Sequence, residues 1–253
     1  MVGILDRLRH AGSLRHWRRA AGHARKTPLA ALRHQRAQAR ALRTQLDRLI
    51  DVADSRLAAA VIVPGQKQPP HGTDWSWRPD PWCRPLPVPG TAGAPKKLRL
   101  CDQITLFHDC DLSELTLRQI ANPPSQNAPP LGLQLDVFRF HGSFLSLAID
   151  LPPQAAEGLS RAHVLRLDLA AETETPLKFF ARLNVLHGPN TDKLVRELPQ
   201  TGQDMHMEYD LAYSNMNEKR IDRLWLDLIL EAPAMNRVIL RDLTLTRRRR
   251  AAL

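Results

Sequence analysis

From about Leu98 to the C-terminus, apolar residues recur at every second position, in short runs separated by breaks rich in Pro, Gly and Asn. Alternation of this kind is typical of β-strands that bury one face. The predicted strands are Ile104 to His108, Glu114 to Ile120, Leu131 to Phe140, Phe144 to Leu151, His163 to Ala171, Leu177 to Leu186, Leu194 to Leu198, Met205 to Leu211, Arg223 to Glu231 and Val238 to Thr246. No long helical pattern separates them, so the sequence predicts a mainly β chain with an antiparallel, jelly-roll-like sandwich.

Residues 1–62 have helical spacing instead, and are predicted to form a basic helical arm or hairpin. Thr27 and Pro28 are typical of a helix start, with Thr27 as the N-cap. The helix that follows is predicted to reach about Ala60, and its apolar residues repeat at intervals of three and four: Ala39, Leu42, Leu46, Leu49, Ala53 and Leu57. Such a stripe packs against another helix. Helix 28–60 therefore pairs with the first helix or with a partner, and an oligomer through this helix is one outcome.

The formal charge of +10 belongs mostly to the two ends of the chain. Residues 1–60 hold 13 Arg and Lys against four Asp and no Glu, and residues 247–250 are all Arg. One side of the predicted helix carries an arginine stripe made of Arg33, Arg36, Arg40 and Arg43. Arginines at this spacing suit an anionic surface, either nucleic acid or lipid, or an acidic protein. The alternative is a solvated helix face.

Residues 63–97 change abruptly to Pro, Gly and Trp, a composition that continues neither a helix nor a central strand. We predict an ordered linker that wraps the domain after it, with Trp75, Trp77 and Trp82 packed on the side of that domain. A tryptophan platform for a sugar or a partner is the other interpretation. Residues 98–253 are then predicted to be the β-sandwich domain with a basic C-terminal tail.

Three of the predicted strands have polar or aromatic residues on the face opposite their leucines. These are Arg166, Asp168, Arg182, Asn184, Trp225 and Asp227. If the strands share a sheet, the six side chains lie on one open face. Aromatic rings stack on the apolar side of a sugar, and charged or amide groups bond its hydroxyls. This face is therefore the candidate ligand-binding site, and a solvated face with cross-strand ion pairs is the alternative.

No catalytic, cofactor or metal site is predicted. Asp109 with Asp111, and Glu172 with Glu174, are acid pairs without identifiable partners. The histidines have no metal-ligand spacing, and the sequence lacks a nucleophile elbow, a P-loop and a dinucleotide motif. We therefore predict a protein that is not an enzyme.

The cysteines and the hydropathy bear on the compartment. Cys83, Cys101 and Cys110 cannot all pair within one chain, which favours a reducing compartment. No window approaches the apolar run of about 18 residues that a membrane span requires. We expect a cytoplasmic protein.

Several segments resemble an uncharacterised alphaproteobacterial family of unknown function: ITLFHDCDLSELTLRQI, LDVFRFHGSFLSLAIDLP, FFARLNVLHGPNTDKLVRELP, EYDLAYSNMNEKRIDRLWLDLILEAPAMN and VILRDLTLTRRRRAAL. The likeness extends over nearly the whole chain, including the arm and the TDWSWRPDPW segment. It implies a bacterial, non-secreted protein and carries no known active residues. A looser similarity of pattern, to jelly-roll carbohydrate-binding domains, speaks to fold rather than function.

Two functional hypotheses follow. The first is a non-catalytic binding or structural protein, in which the sandwich presents a glycan- or protein-binding face and the basic arm mediates assembly or anchoring. The second is a peripheral scaffold bound to nucleic acid or to an anionic membrane through the arm.

Overall fold

A computed structural model describes residues 4–60, 69–123, 129–199, 202 and 204–250. The chain divides into two compact units, Met1–Ala53 and Asp54–Leu253. The first unit is helical and the second contains the β-sheets.

The arm consists of α1 (Ile4–His23), a 3₁₀ turn (Ala24–Lys26) and α2 (Leu29–Ala60). At the junction the Thr27 hydroxyl donates to the His23 carbonyl at 3.0 Å, and Thr27 itself is extended. Between residues 11 and 47 no described side chain of the arm is buried. None of the described helices combines the length and the hydropathy that a membrane span needs.

The described residues of the second unit form thirteen strands and one short helix, α3 (Asp80–Cys83). The strands are β1 (Thr73–Trp77), β2 (Gly90–Ala92), β3 (Lys97–Arg99), β4 (Ile104–His108), β5 (Leu115–Ala121), β6 (Leu131–Val137), β7 (Leu145–Asp150), β8 (His163–Thr173), β9 (Phe179–His187), β10 (Asn190–Glu197), β11 (Asp204–Asp210), β12 (Ile221–Leu230) and β13 (Asn236–Arg249). All ten predicted strands are present, with ends that move by a few residues.

The strands form two antiparallel sheets. The seven-stranded sheet has the order β11-β8-β13-β6-β5-β2, with β1 also paired to β13, and the six-stranded sheet has the order β10-β9-β12-β7-β4-β3. If β6 to β13 are counted as strands one to eight, the two sheets contain the orders 1-8-3-6 and 2-7-4-5. This interleaving of two Greek keys is the topology of a jelly roll, so the predicted fold class is confirmed.

The core is a layer of leucines between the two sheets. Leu165, Leu167 and Leu169 of β8 are buried, as is every second residue of β12 from Leu224 to Leu230. Alternation puts these side chains on the inner face and their neighbours on the outer face. The face assignment made from the sequence is therefore correct for both strands.

The Pro- and Trp-rich segment is part of the sandwich. β1, β2 and β3 lie within residues 73–99 and pair with β13, β5 and β4, so the sandwich begins well before residue 98. Trp82 is 0% exposed, and its indole N–H donates to the Leu240 carbonyl at 3.0 Å. Trp75 and Trp77 are half-buried against the core. The predicted structural role of the tryptophans is confirmed; residues 63–68 of the predicted linker lie outside the described residues.

The basic C-terminal residues continue β13 instead of forming a free tail. Arg247 is buried, with Nε 3.0 Å from Asp74 and Nη1 2.8 Å from the Glu157 carbonyl. Arg248 pairs with Glu208, and Arg250 lies 3.3 Å from an Asp210 oxygen. Residues 251–253 of the predicted tail lie outside the described residues. Most of this charge is thus neutralised within the sandwich.

We expect Trp82→Ala to lower the free energy of unfolding of the sandwich by about 3–5 kcal/mol, because it removes a fully buried ring and leaves a cavity. Val88→Ala, in the same segment and largely exposed, is the matched control and should cost under about 0.5 kcal/mol. Urea denaturation followed by circular dichroism measures both. Equal effects would contradict the assigned anchoring role.

Candidate functional site

The outer face of the six-stranded sheet carries four of the six predicted site residues. β9 contributes Arg182 and Asn184, and β12 contributes Trp225 and Asp227. The two strands are neighbours, and their register sets Asn184 beside Trp225 and Arg182 beside Asp227. The structure therefore brings four of the six residues together on one sheet face.

Arg166 and Asp168 lie elsewhere, so the prediction of a single six-residue face is wrong. Both belong to β8, which is in the seven-stranded sheet and faces the opposite side of the sandwich. Arg166 donates to Asp168 from Nε at 2.8 Å and from Nη2 at 2.7 Å. This hydrogen bonding raises the pKa of the guanidinium. The two residues satisfy one another within a single strand, whereas the alternative interpretation described ion pairs between strands.

Asp227 is the centre of a hydrogen-bonded cluster on the six-stranded sheet. Its Oδ2 accepts from Arg182 Nε at 2.9 Å and from Asn184 Nδ2 at 2.8 Å. Asn184 is 1% exposed and Asp227 is 5% exposed. A buried carboxylate is stable when such donors surround it. Both residues are too buried to contact a ligand directly, and they position the more exposed Arg182.

Arg223 is the accessible residue that the predicted site omitted. Its guanidinium lies over the Trp225 ring, 5.3 Å from the ring centre, and it pairs with Asp150 on β7, where Nε is 3.1 Å from Oδ1. The side chains of Arg223 and Asp150 remain 56% and 40% exposed. The sequence spacing could have identified Arg223, because it lies two residues before Trp225 and therefore on the same face of the strand.

Trp225 lies in the middle of a polar row. The register across β10, β9, β12 and β7 aligns Lys193, Asn184, Trp225 and Asp150. The indole is half-buried. The ring has the exposed Asp150 on one side and the buried Asn184 on the other, and a ligand that stacks on the indole would displace the Arg223 guanidinium that lies over it.

A shallow cavity of about 310 Å³ lies at the end of this row. Its walls include Pro152, Pro153 and Glu157 from the segment after β7, and Asp222 and Arg223 from β12. Arg223 lines the cavity and its guanidinium also lies over Trp225, so this one side chain adjoins both the cavity and the Trp225 row. We call this combined surface the Trp225 site; its accessible polar groups are Arg223, Asp150, Glu157 and Asp222.

The opposite end of the same sheet face is more apolar. One row aligns Phe180, Ile229, Ser146 and Phe107 across four strands. Lys97 lies over the Phe107 ring, 5.6 Å from its centre. The face therefore changes from polar at the Trp225 site to largely apolar at this row.

Three of the four acids considered for catalysis, Asp109, Asp111 and Glu172, have structural partners. Asp109 accepts from the Ser143 backbone N–H at 2.8 Å, and the Ser143 hydroxyl donates to it and lowers its pKa. Asp111 pairs with Lys96 at 2.6 Å, and Glu172 binds Arg241 through both carboxylate oxygens. Each carboxylate braces a loop or a strand edge.

One serine, histidine and aspartate do converge, beside Arg247. The Ser160 hydroxyl lies 2.9 Å from His163 Nδ1, and His163 Nε2 lies 3.5 Å from Asp74. The Ser160 backbone N–H also donates to Nδ1 at 3.1 Å, so this nitrogen closes the turn into β8. Arg247 shares the Asp74 carboxylate. The cluster joins β1, β8 and β13 and is explained by that structural role.

Metal-ligating and redox groups are dispersed in the part of the chain that the structure describes. No three His, Cys, Asp or Glu side chains there come together as metal ligands would. Cys83, Cys101 and Cys110 are all free thiols, and burial raises the pKa of the first two.

The arginine stripe of the arm lies entirely on α2, and its four side chains are exposed. Arg43 approaches Asp47 at 3.4 Å, one turn further along the helix. An exposed pair of this kind contributes only about 0.3–0.5 kcal/mol, so the stripe keeps its positive character.

Fold and site together define a class: a jelly-roll β-sandwich protein with a basic helical arm and an open polar and aromatic sheet face. The chain belongs to a family of unknown function (DUF6478), whose model matches residues 1–253. A comparison with curated proteins gave no match.

Among solved structures, the chain is similar to the enzymatically active domain of tailspike protein 4 from bacteriophage CBA120, with 10% identity, a TM-score of 0.40 and coverage of 56% of this chain and 19% of that chain. It is similar to the C-terminal family 22 carbohydrate-binding module of Clostridium thermocellum Xyn10B (9% identity, TM-score 0.36, 60% and 88% covered). A family 11 carbohydrate-binding module from Clostridium thermocellum is also similar (9% identity, TM-score 0.34, 62% and 95% covered). The chain thus spans about a fifth of the tailspike chain and most of each module.

We expect Asp227→Ala to lower the free energy of unfolding by about 1–3 kcal/mol, because it removes the carboxylate that accepts from both the buried Asn184 amide and the Arg182 guanidinium. Asp150→Ala, which breaks an exposed arginine pair on the same face, is the matched control and should cost at most about 1 kcal/mol. Thermal and urea unfolding give both values. If the two variants were equally stable, the assigned bracing role of Asp227 would be wrong.

Proposed function

We propose that the protein is a non-catalytic glycan-binding protein whose ligand lies on the Trp225 site, with the basic arm serving assembly or anchoring. The observation that carries the proposal is the position of Trp225. It is half-buried on the outer face of the six-stranded sheet, with the exposed Arg223 over its ring, the exposed Asp150 beside it and a cavity next to Arg223.

The chemistry of this surface suits a sugar. The C–H groups of a pyranose stack on an aromatic ring, while its hydroxyls need donors and acceptors around the rim. Arg223 supplies donors, and Asp150, Glu157 and Asp222 supply acceptors. The buried Asp227 and Asn184 hydrogen-bond Arg182 and do not themselves contact the ligand. They fix the position of Arg182 before a ligand binds, so this part of the face is preorganised.

The cavity extends the site beyond a single sugar unit. It continues from Arg223 along the outer ends of β7 and β12, where Pro152 and Pro153 form a rigid wall. An extended glycan can therefore place one unit on Trp225 and the next against the prolines. The proposed ligand class is an oligosaccharide or polysaccharide.

A protein partner is the second candidate, and the apolar row favours it. Phe180 and Ile229 lie side by side on the neighbouring strands β9 and β12. Ser146 on β7 separates Ile229 from Phe107 on β4. Aromatic anchors of this kind are typical of protein interfaces. The two candidates use different ends of the same face, so single substitutions separate them.

The test is a glycan array together with affinity electrophoresis on bacterial polysaccharides, using the full chain. We expect binding that Trp225→Ala weakens roughly tenfold to a hundredfold, because the stacking surface is lost. Arg223→Ala should weaken binding as well, since it removes donors next to that ring.

Arg166→Ala, on the opposite sheet, is the matched control and should leave the affinity unchanged. Failure of every polysaccharide to bind, or equal binding by Trp225→Ala and the natural chain, would contradict the proposal. Capture of a protein that Phe180→Ser releases and Trp225→Ala retains would favour the second candidate.

A further inference from the structure

Helix α2 carries exposed leucines. Leu42, Leu46 and Leu49 are 38%, 47% and 64% exposed. At about 100° per residue, these three lie with Leu32 and Ala39 in a sector about 100° wide. Removing the remaining apolar area of these leucines from water is favourable, roughly in proportion to that area. The leucine stripe is therefore a surface that gains from being covered.

The arginine stripe lies on the flank of the leucine stripe. Arg33, Arg36, Arg40 and Arg43 occupy a sector centred about 110° from the leucines, on the same helix. From residue 7 to residue 46 the sequence has eleven Arg and Lys and no acidic residue. The surface that covers the leucines thus meets a dense positive charge along its edge, in which Arg43 also approaches Asp47 at 3.4 Å.

A lipid surface satisfies both stripes. Nucleic acid would bind the arginines but leave the leucines in water, because phosphates offer no apolar contact. A second, parallel copy of α2 would cover the leucines but bring Arg36 and Arg43 to the edge of the contact, with no acidic residue in that stretch to meet them. An anionic bilayer accepts the leucines below the headgroups and pairs the guanidinium groups with phosphates.

We infer that α2 binds the surface of an anionic membrane, with Leu42, Leu46 and Leu49 inserted below the headgroups and the arginine stripe paired with lipid phosphates. The helix lies in the plane of the surface. This inference is independent of the glycan site, because it uses only the arm.

The experiment is co-sedimentation of the full chain with vesicles of phosphatidylcholine alone or mixed with phosphatidylglycerol. We expect binding only to the mixed vesicles, and a steep loss as NaCl is added. Reversing the arginine stripe with Arg33→Glu, Arg36→Glu, Arg40→Glu and Arg43→Glu should weaken binding roughly a hundredfold or more, since each basic residue near such a surface is worth about a fivefold change. The four Arg→Lys substitutions keep the charge and should retain binding.

The leucine stripe supplies the discriminating variant. Leu42→Ser with Leu46→Ser and Leu49→Ser should weaken vesicle binding at least tenfold. The matched control, Ala30→Ser with Ala37→Ser and Ala41→Ser, puts the same residue on the exposed opposite side of α2 and should bind as the natural chain does. Far-ultraviolet circular dichroism checks that both variants keep their helix.

Three results would overturn the inference. The first is equal binding to vesicles with and without phosphatidylglycerol. The second is vesicle binding that the leucine substitutions leave unchanged. The third is tighter binding to duplex DNA than to the mixed vesicles. The last result would assign the arginine stripe to nucleic acid. Loss of vesicle binding leaves polysaccharide binding untouched, so the two proposals fail separately.

Discussion

Both sheets of the sandwich depend on the last two strands of the chain. β12 lies between β9 and β7 in one sheet, and β13 lies between β8 and β6 in the other, so without these two strands each sheet would have a gap at its centre. The leucines of β12 are buried from Leu224 to Leu230. A slip of one residue would bury Arg223, Trp225 and Asp227 and expose the leucines. The same register of β12 that buries its leucines therefore places Trp225 and Arg223 on the outer face of the sheet.

The same alternation explains how much of the fold could be predicted. Ten strands could be predicted because apolar and polar residues alternate along them, and only the apolar side of such a strand can face the core. The three short strands from Thr73 to Arg99 could not be found this way, since prolines and tryptophans interrupt the period. The end of β13 was also missed, because arginines that look solvated are paired with Asp74, Glu208 and Asp210.

The site was predicted in part, for a related reason. A strand pattern reports which residues share a face of their own strand, and says nothing about which sheet the strand joins. Arg166 and Asp168 have the right pattern but belong to the other sheet. Burial changes the roles of the remaining residues. Asn184 and Asp227 are too buried to contact a ligand and hold Arg182 in place. The accessible polar groups are Arg223 and Asp150, which the prediction omitted.

Trp225 offers the most direct test of the account. The chain has five tryptophans, and Trp75, Trp77 and Trp82 pack on the sandwich core. The measurement is an NMR titration in which a polysaccharide that binds the protein is added to the ¹⁵N-labelled full chain, and the five indole N–H signals are followed. We expect the Trp225 signal to shift while those of Trp75, Trp77 and Trp82 stay in place. A saturating titration that leaves Trp225 unmoved, or that moves the other three instead, would contradict it.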